Sequence, residues 1–333
     1  MLFDAPVLAL LGVSVVDSFF MLLAGVFAVQ ILRRWDLGSG SAAQIALERR
    51  TYFISTIMGF VFVAELLSLL LFVYVAERLS IQFVGAMCAT GALNVNAFGW
   101  PTLLLKIAVF FLGFVWLSVN GIDQKGYDYP LIRTKYLLLL AIAPVLITET
   151  FLQWSYFLRL DPQVITSCCG SLFSGEARGV ASELASLPRF GSLIAFYTSA
   201  ALTLAAAAFA AALNNGTATF AITGSAAFVV AIAAIVSVIS PYVYEQPHHH
   251  CPFCLLKAGY DYIGYYLYVP LFAATALALS AGVMMRFRHK PSLAIIVPMH
   301  ARRFALLAGL GFVLFYAIAT YAVLRSHLVL EGM

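Results

Sequence analysis

The sequence predicts an all-α integral membrane protein, a bundle of about eight transmembrane helices joined by short loops. Three observations predict it. Of 333 residues, 63% are hydrophobic and only 10% are Asp, Glu, Lys or Arg, against roughly 25% charged in a soluble domain. Mean hydropathy is +0.96. The apolar residues gather in continuous runs, each near or above the ~20 residues that cross the hydrocarbon as a helix. Strands would alternate in polarity, whereas these runs are unbroken and rich in Leu, Ala and Phe.

The runs fall at 6–32, 52–76, 102–120, 132–157, 190–213, 218–240, 260–285 and 303–325. The first reads as a span and not a cleaved signal. No basic residue precedes it, Asp4 is acidic, and no small-residue cleavage pattern comes before Arg33 and Arg34. The chain therefore reads as a single polytopic membrane domain over 1–333. Cysteine-bearing loops follow the second and sixth spans alike, which suggests two four-helix halves, 1–157 and 190–333. An outer loop 158–189 would join them, with one short helix near Ala177–Leu187.

Basic residues set the orientation, because short loops rich in Lys and Arg stay in the cytoplasm. The stretches 33–50, 121–135 and 286–303 hold twelve, Lys135, Arg302 and Arg303 among them. The opposite side holds six: Arg78, Arg159, Arg178, Arg189, Lys257 and Arg325. The first side is then cytoplasmic, both termini are extracytoplasmic, and Asn214-Asn215-Gly216 makes a tight cytoplasmic hairpin. The expected location is a bacterial inner membrane.

The five cysteines, Cys88, Cys168, Cys169, Cys251 and Cys254, all fall in loops of the outer, periplasmic side. Cysteine packing as a small core residue would instead be scattered through the helices. Their grouping points to thiol chemistry in an oxidising compartment. The most specific motif is His248-His249-His250-Cys251-Pro252-Phe253-Cys254. Cys-x-x-Cys with proline second resembles the active-site tetrapeptide of glutaredoxin-like proteins, over those four residues alone. Pro252 suits a first helical turn, which would put Cys251 at a helix N-terminus where a thiolate is stabilised. Cys251 would attack a disulfide and Cys254 would resolve it. The same segment reads as a metal site, with His248, His249, His250, Cys251 and Cys254 as ligands. A static Cys251–Cys254 disulfide is the plain structural alternative. The vicinal pair Cys168 and Cys169 can close only a strained disulfide, or can offer two thiolates to a soft metal. The Cys168–Cys169 loop is expected to lie over the Cys251–Cys254 site, while Cys88 is the odd cysteine and invites pairing with one of that vicinal pair.

Four ionisable residues lie inside apolar runs: Asp17, Glu65, Lys106 and Glu149. Each costs ~2.5–3.5 kcal/mol to insert and is expected to face a protein interior. They would form a polar cluster that carries protons, binds a headgroup or locks helices as a Glu–Lys pair. Pro144 should kink the fourth span near Glu149. The tyrosines from Tyr260 to Tyr268 read as an interfacial belt, or as an aromatic wall for a quinone beside the thiols.

No histidine lies in an apolar run, and Leu255 follows Cys254 where a haem attachment site needs histidine. No haem is expected. No basic block suggests nucleic acid. The sequence thus points first to a membrane thiol–disulfide oxidoreductase, its dithiol passing electrons to a quinone or a partner protein. The alternative is a protein that binds or transfers a soft metal ion such as copper, zinc or mercury. A structural subunit of a membrane complex, or a transporter, comes third. The implied partners are the lipid bilayer and an extracytoplasmic thiol or metal-carrier protein.

Overall fold

The computed structural model describes residues 2–36, 38–39, 41–166, 186–213 and 216–328. Among them every regular element is a helix, and eight helices are long and apolar enough to span a membrane. In chain order these are α1 (Ala5–Arg34), α2 (Ala42–Ser80), α4 (Gly99–Asp123), α5 (Ile132–Leu158), α6 (Arg189–Leu213), α7 (Thr217–Tyr244), α8 (Ile263–Met285) and α9 (Ile296–Arg325). A short helix, α3 (Ala89–Leu93), lies between α2 and α4.

Seven of the eight helices contain their predicted apolar run and most extend beyond it, whereas α8 begins at Ile263, three residues inside the run 260–285. Apolarity marks only the membrane-crossing part; charged residues of good helix propensity carry the turns further into water. α2 begins at Ala42, where the Gln44 amide donates to Glu48 one turn on. α9 begins at Ile296, so His300, Arg302 and Arg303 belong to its first turns and not to a loop. α5 runs unbroken through Pro144. The Asn214–Asn215 turn and the short helix expected near Ala177–Leu187 lie outside the described residues, apart from Ser186 and Leu187.

The chain divides into two compact units. The first comprises Met1–Leu79, Ala92–Val164 and His289–Ile296. Here α1 and α4 both pack along α5. The apolar core includes Met21, Met58, Phe62, Trp116, Tyr136 and Leu146. Gly113 leaves the space that Phe62 fills: a Cβ there would lie 2.8 Å from the Phe62 ring. Lys135, counted above with the loop cations, is instead buried in α5, 2.7 Å from Asp123. Asp123 also accepts from the Leu131 amide at 2.8 Å, so one carboxylate closes the α4–α5 turn and neutralises the lysine.

The second unit comprises Ser80–Gly91, Ile165–Arg288 and Val297–Met333. α7 packs against both α6 and α8. Small residues set the spacing, since lipid offers no hydrophobic gain and close backbone approach must supply the attraction. Gly224 faces Ala278, Gly282 faces Ala221 and the Thr217 carbonyl, and Gly311 faces Ala274. Gly282→Val should force α7 and α8 apart. Overpacking of this kind costs ~1–3 kcal/mol, readable as a lower unfolding midpoint in mixed micelles. Gly259→Ala, where a Cβ meets open space, should leave the midpoint unchanged.

Candidate functional site

The last turns of α7 place the Cys-x-x-Cys segment. Residues Ile235–Ile239 form a π-helical turn, a break in the regular ladder that frees backbone groups. The Val236 carbonyl accepts from Nδ1 of His250 at 2.9 Å. That bond requires the Nδ1–H tautomer, and burial of the ring lowers the His250 pKa. Helix α7 then ends at Glu245 in the left-handed conformation, φ 54°. The Tyr244 hydroxyl donates to the Cys251 carbonyl, and the Tyr268 hydroxyl of α8 donates to that of Pro252 at 2.9 Å. The dipeptide Cys251–Pro252 is thus held at both carbonyls.

Pro252 and Phe253 form a turn, and Cys254–Leu256 is a single 3₁₀ turn. The expectation that Cys251 caps a helix N-terminus is therefore corrected: the three-residue 3₁₀ turn begins at Cys254 and supplies no helix dipole at Cys251. What surrounds the Cys251 sulfur is side chains from another loop of the same unit. Cys88 Sγ lies 3.2 Å away, and Thr90 Oγ1 is also at 3.2 Å. The sulfurs of Cys88, Cys251 and Cys254 all lie within 4.8 Å of one another. Cys88 and Cys251 are 0% exposed and Cys254 is 5% exposed. Cys251 and Cys254 are free thiols, so the Cys251–Cys254 disulfide is not formed; the pairing of Cys88 with Cys168 or Cys169 falls on residues outside those described.

The loop that brings Cys88 is fixed by its backbone. The Gly91 amide donates to the Cys88 carbonyl at 2.9 Å, starting α3. Lys257 Nζ donates to the Met87 carbonyl, tying this loop to the segment after Cys254. The Thr166 amide donates to the Val84 carbonyl at 2.9 Å. Gly85, at φ +84°, admits the Thr166 carbonyl where any side chain would collide. Hydrogen bonds from the Cys254 and Cys88 thiols, with Thr90 adding to them, hold the Cys251 pKa well below the ordinary thiol range, against burial. The same interaction, with burial, pushes Cys254 up.

The histidines are not part of the sulfur cluster. His248 is exposed, His249 stacks on Tyr244 at 4.2 Å between centroids, and His250 is held by Val236. Cys168 and Cys169 lie outside the described residues. The tyrosines divide: Tyr262, Tyr265 and Tyr266 are exposed, whereas Tyr268 is turned inward as a strut under Pro252. Sequence reasoning gave Cys88 no role at the Cys-x-x-Cys. A signal was present in the parity of the chain, since Cys88 follows the second span as Cys251 follows the sixth.

In the first unit, the four intramembrane ionisable residues meet. Lys106 Nζ lies 2.8 Å from Glu149 and 3.9 Å from Glu65, and donates to Ser68 Oγ at 2.6 Å. The Asp17 and Glu65 carboxyl groups face each other at hydrogen-bonding range. Four helices, α1, α2, α4 and α5, thus each contribute one charged group to a buried cluster.

Comparison of the chain with family models, with curated proteins and with solved structures gave no match.

Proposed function

We propose that this membrane protein binds a soft metal ion of the copper(I) class at a three-sulfur site formed by Cys88, Cys251 and Cys254. The convergence of three buried sulfurs within 4.8 Å carries the reading. Sulfurs bonded at about 2.3 Å to a central ion stand roughly 4 Å apart in a trigonal plane, so small side-chain adjustments would close the site. Thiolates select soft ions, monovalent copper foremost, with mercury(II) chemically similar. Binding releases the thiol protons. The segments that hold the sulfurs, through Tyr244, Tyr268, Lys257 and Gly91, set the ligand positions in advance of the ion.

Burial weighs against thiol–disulfide exchange as the first choice. Exchange needs an attacking sulfur that a partner can reach, and Cys251 is 0% exposed. It remains the second reading, supported by the Cys-Pro-Phe-Cys sequence. In it Cys251 and Cys254 form a disulfide and pass two electrons and two protons to a quinone or a partner disulfide.

The excess of basic residues in the stretches 33–50, 121–135 and 286–303 supports a periplasmic position for the cysteines in a bacterial inner membrane. A periplasmic metal-carrier protein would then supply or accept the ion. Cys168 and Cys169 are the remaining cysteines of the sequence and have the ligand chemistry to pass on such an ion.

The test is metal analysis and X-ray absorption on the full chain purified with copper under reducing conditions. About one copper per chain with sulfur neighbours alone is the expected result. Metal-free protein whose thiols cycle with a quinone would replace this reading with the second. In intact cells, a membrane-impermeant maleimide should label the His248→Cys variant, whose position is exposed beside the buried cluster. Labelling only after the membrane is broken would reverse the orientation.

A further inference from the structure

The cluster of Asp17, Glu65, Lys106 and Glu149 lies in the first unit and takes no part in the sulfur site. It holds three carboxyl groups and one ammonium. Their side chains are almost fully enclosed: Lys106 and Glu149 are 0% exposed and Glu65 1%. Lys106 is committed to Glu149, at 2.8 Å, and to Ser68. Glu65 is buried with neither carboxyl oxygen receiving a hydrogen bond, and Asp17 Oδ2 is in the same state. These two groups face each other with only acceptor oxygens between them. Two bare carboxylates so placed would repel in a medium of low dielectric and lose their hydration besides. Something positive must lie between them.

We propose that the facing Asp17–Glu65 pair is an intramembrane proton-binding site. One proton is shared between the two carboxyl groups, and a second makes the whole cluster neutral with the Lys106–Glu149 ion pair. A metal cation is the poorer occupant, because the Lys106 ammonium already stands 3.9 Å from Glu65 and would repel it. Lys106 and Glu149 are the charged groups that face the pair, from α4 and α5; α1 and α2 supply the pair itself.

Among the described residues, polar side chains continue from the site toward one end of the unit. Toward the N-terminal end of α1, Ser14 sits one turn from Asp17 and receives the Trp154 indole at 3.3 Å. On α5, Gln153 follows Glu149 by one turn, fully buried, with its Oε1 unpartnered and its Nε2 donating to the Leu10 carbonyl. In the other direction the neighbours are Met21, Met58, Val61, Phe62, Val109 and Leu146, all buried and apolar. Protons therefore enter and leave past Ser14 and Gln153, at the end of the bundle holding Ala5 and Leu158, and the apolar layer blocks passage through. This is a binding site, not a channel.

Infrared difference spectra of the full chain in lipid nanodiscs, with side-chain carboxyl groups of Asp or Glu isotopically labelled, test this on the native sequence. The expected result is a protonated-carboxyl band at neutral pH in both labelled samples. It should shift in heavy water and be insensitive to replacing sodium with choline. Only ionised carboxylates at neutral pH, or a band that changes with sodium, would overturn the proposal. A band that never exchanges in heavy water would overturn its link to solvent. Asp17→Asn should remove the Asp band, whereas Glu77→Gln, near the end of α2, should leave both. Gln153→Leu should slow the exchange; an unchanged rate would remove the exit assigned to it.

Discussion

Lys106→Leu is expected to destabilise the protein by about 3–5 kcal/mol, the range for removing one partner of a buried ion pair. The lysine Nζ holds Glu149 at 2.8 Å, bonds Ser68, and lies 5.8 Å from the Phe72 ring centroid. Leucine replaces none of these. Most of the loss is the carboxylate left behind, not the bond itself, because an isolated buried charge has no solvent to return to. That origin makes a second demand. Lys106→Leu combined with Glu149→Gln should recover more than half of the loss, since the two sites are in contact and their effects are not additive. Unfolding in mixed micelles reads both variants. A single variant within about 0.5 kcal/mol of the native chain, the range of ordinary surface changes, would mean the ammonium reaches water and holds nothing together.

The eight spans were legible because lipid imposes one rule. Every backbone group must be satisfied within its own segment, so a continuous apolar run of sufficient length has to be a helix. What lay beyond the hydrocarbon was less so. The early start of α2 at Ala42 and of α9 at Ile296 is carried by charged turns that no hydropathy threshold marks. Lys135 sits among loop cations in the sequence, and only the fold reveals Asp123 beside it. The meeting of Asp17, Glu65, Lys106 and Glu149 follows from cost: each charge in an apolar run must find a partner, and these four have few others to find. The sulfur site was half legible. Spacing identifies Cys251 and Cys254, but a backbone held at the Cys251 and Pro252 carbonyls by Tyr244 and Tyr268 is a tertiary outcome. So is the approach of Cys88, from more than 160 positions away in sequence. Three adjacent histidines drew the ligand assignment because of their chemistry; π-helical opening at Val236 and stacking on Tyr244 give two of them other work.

Cys88→Ala separates the two readings of the sulfur site, and its expected effect is loss of copper. If Cys88, Cys251 and Cys254 hold one ion together, removing any of the three leaves two sulfurs and an apolar gap. Disturbing the groups that merely orient ligands already costs 10–100-fold in metal affinity in general. Loss of a ligand should exceed that, so Cys88→Ala should bind copper at least about 100-fold more weakly. A chelator competition with a copper(I) indicator measures it. The methyl group keeps the small apolar volume of a side chain that is 0% exposed, so the fold should survive. Cys254→Ala should match it, because all three sulfurs lie within the same 4.8 Å. Thr90→Val, which removes the hydroxyl at 3.2 Å from Cys251 without removing a sulfur, should lose far less. A dithiol site predicts the opposite order. Cys251 and Cys254 would still form and break their bond without Cys88, and Cys88→Ala would leave quinone-linked or partner-linked thiol turnover in place. In that case Cys254→Ser alone would arrest the reaction, with Cys251 trapped in a mixed disulfide visible on a non-reducing gel. Copper retained by Cys88→Ala at native affinity would remove the three-sulfur site altogether.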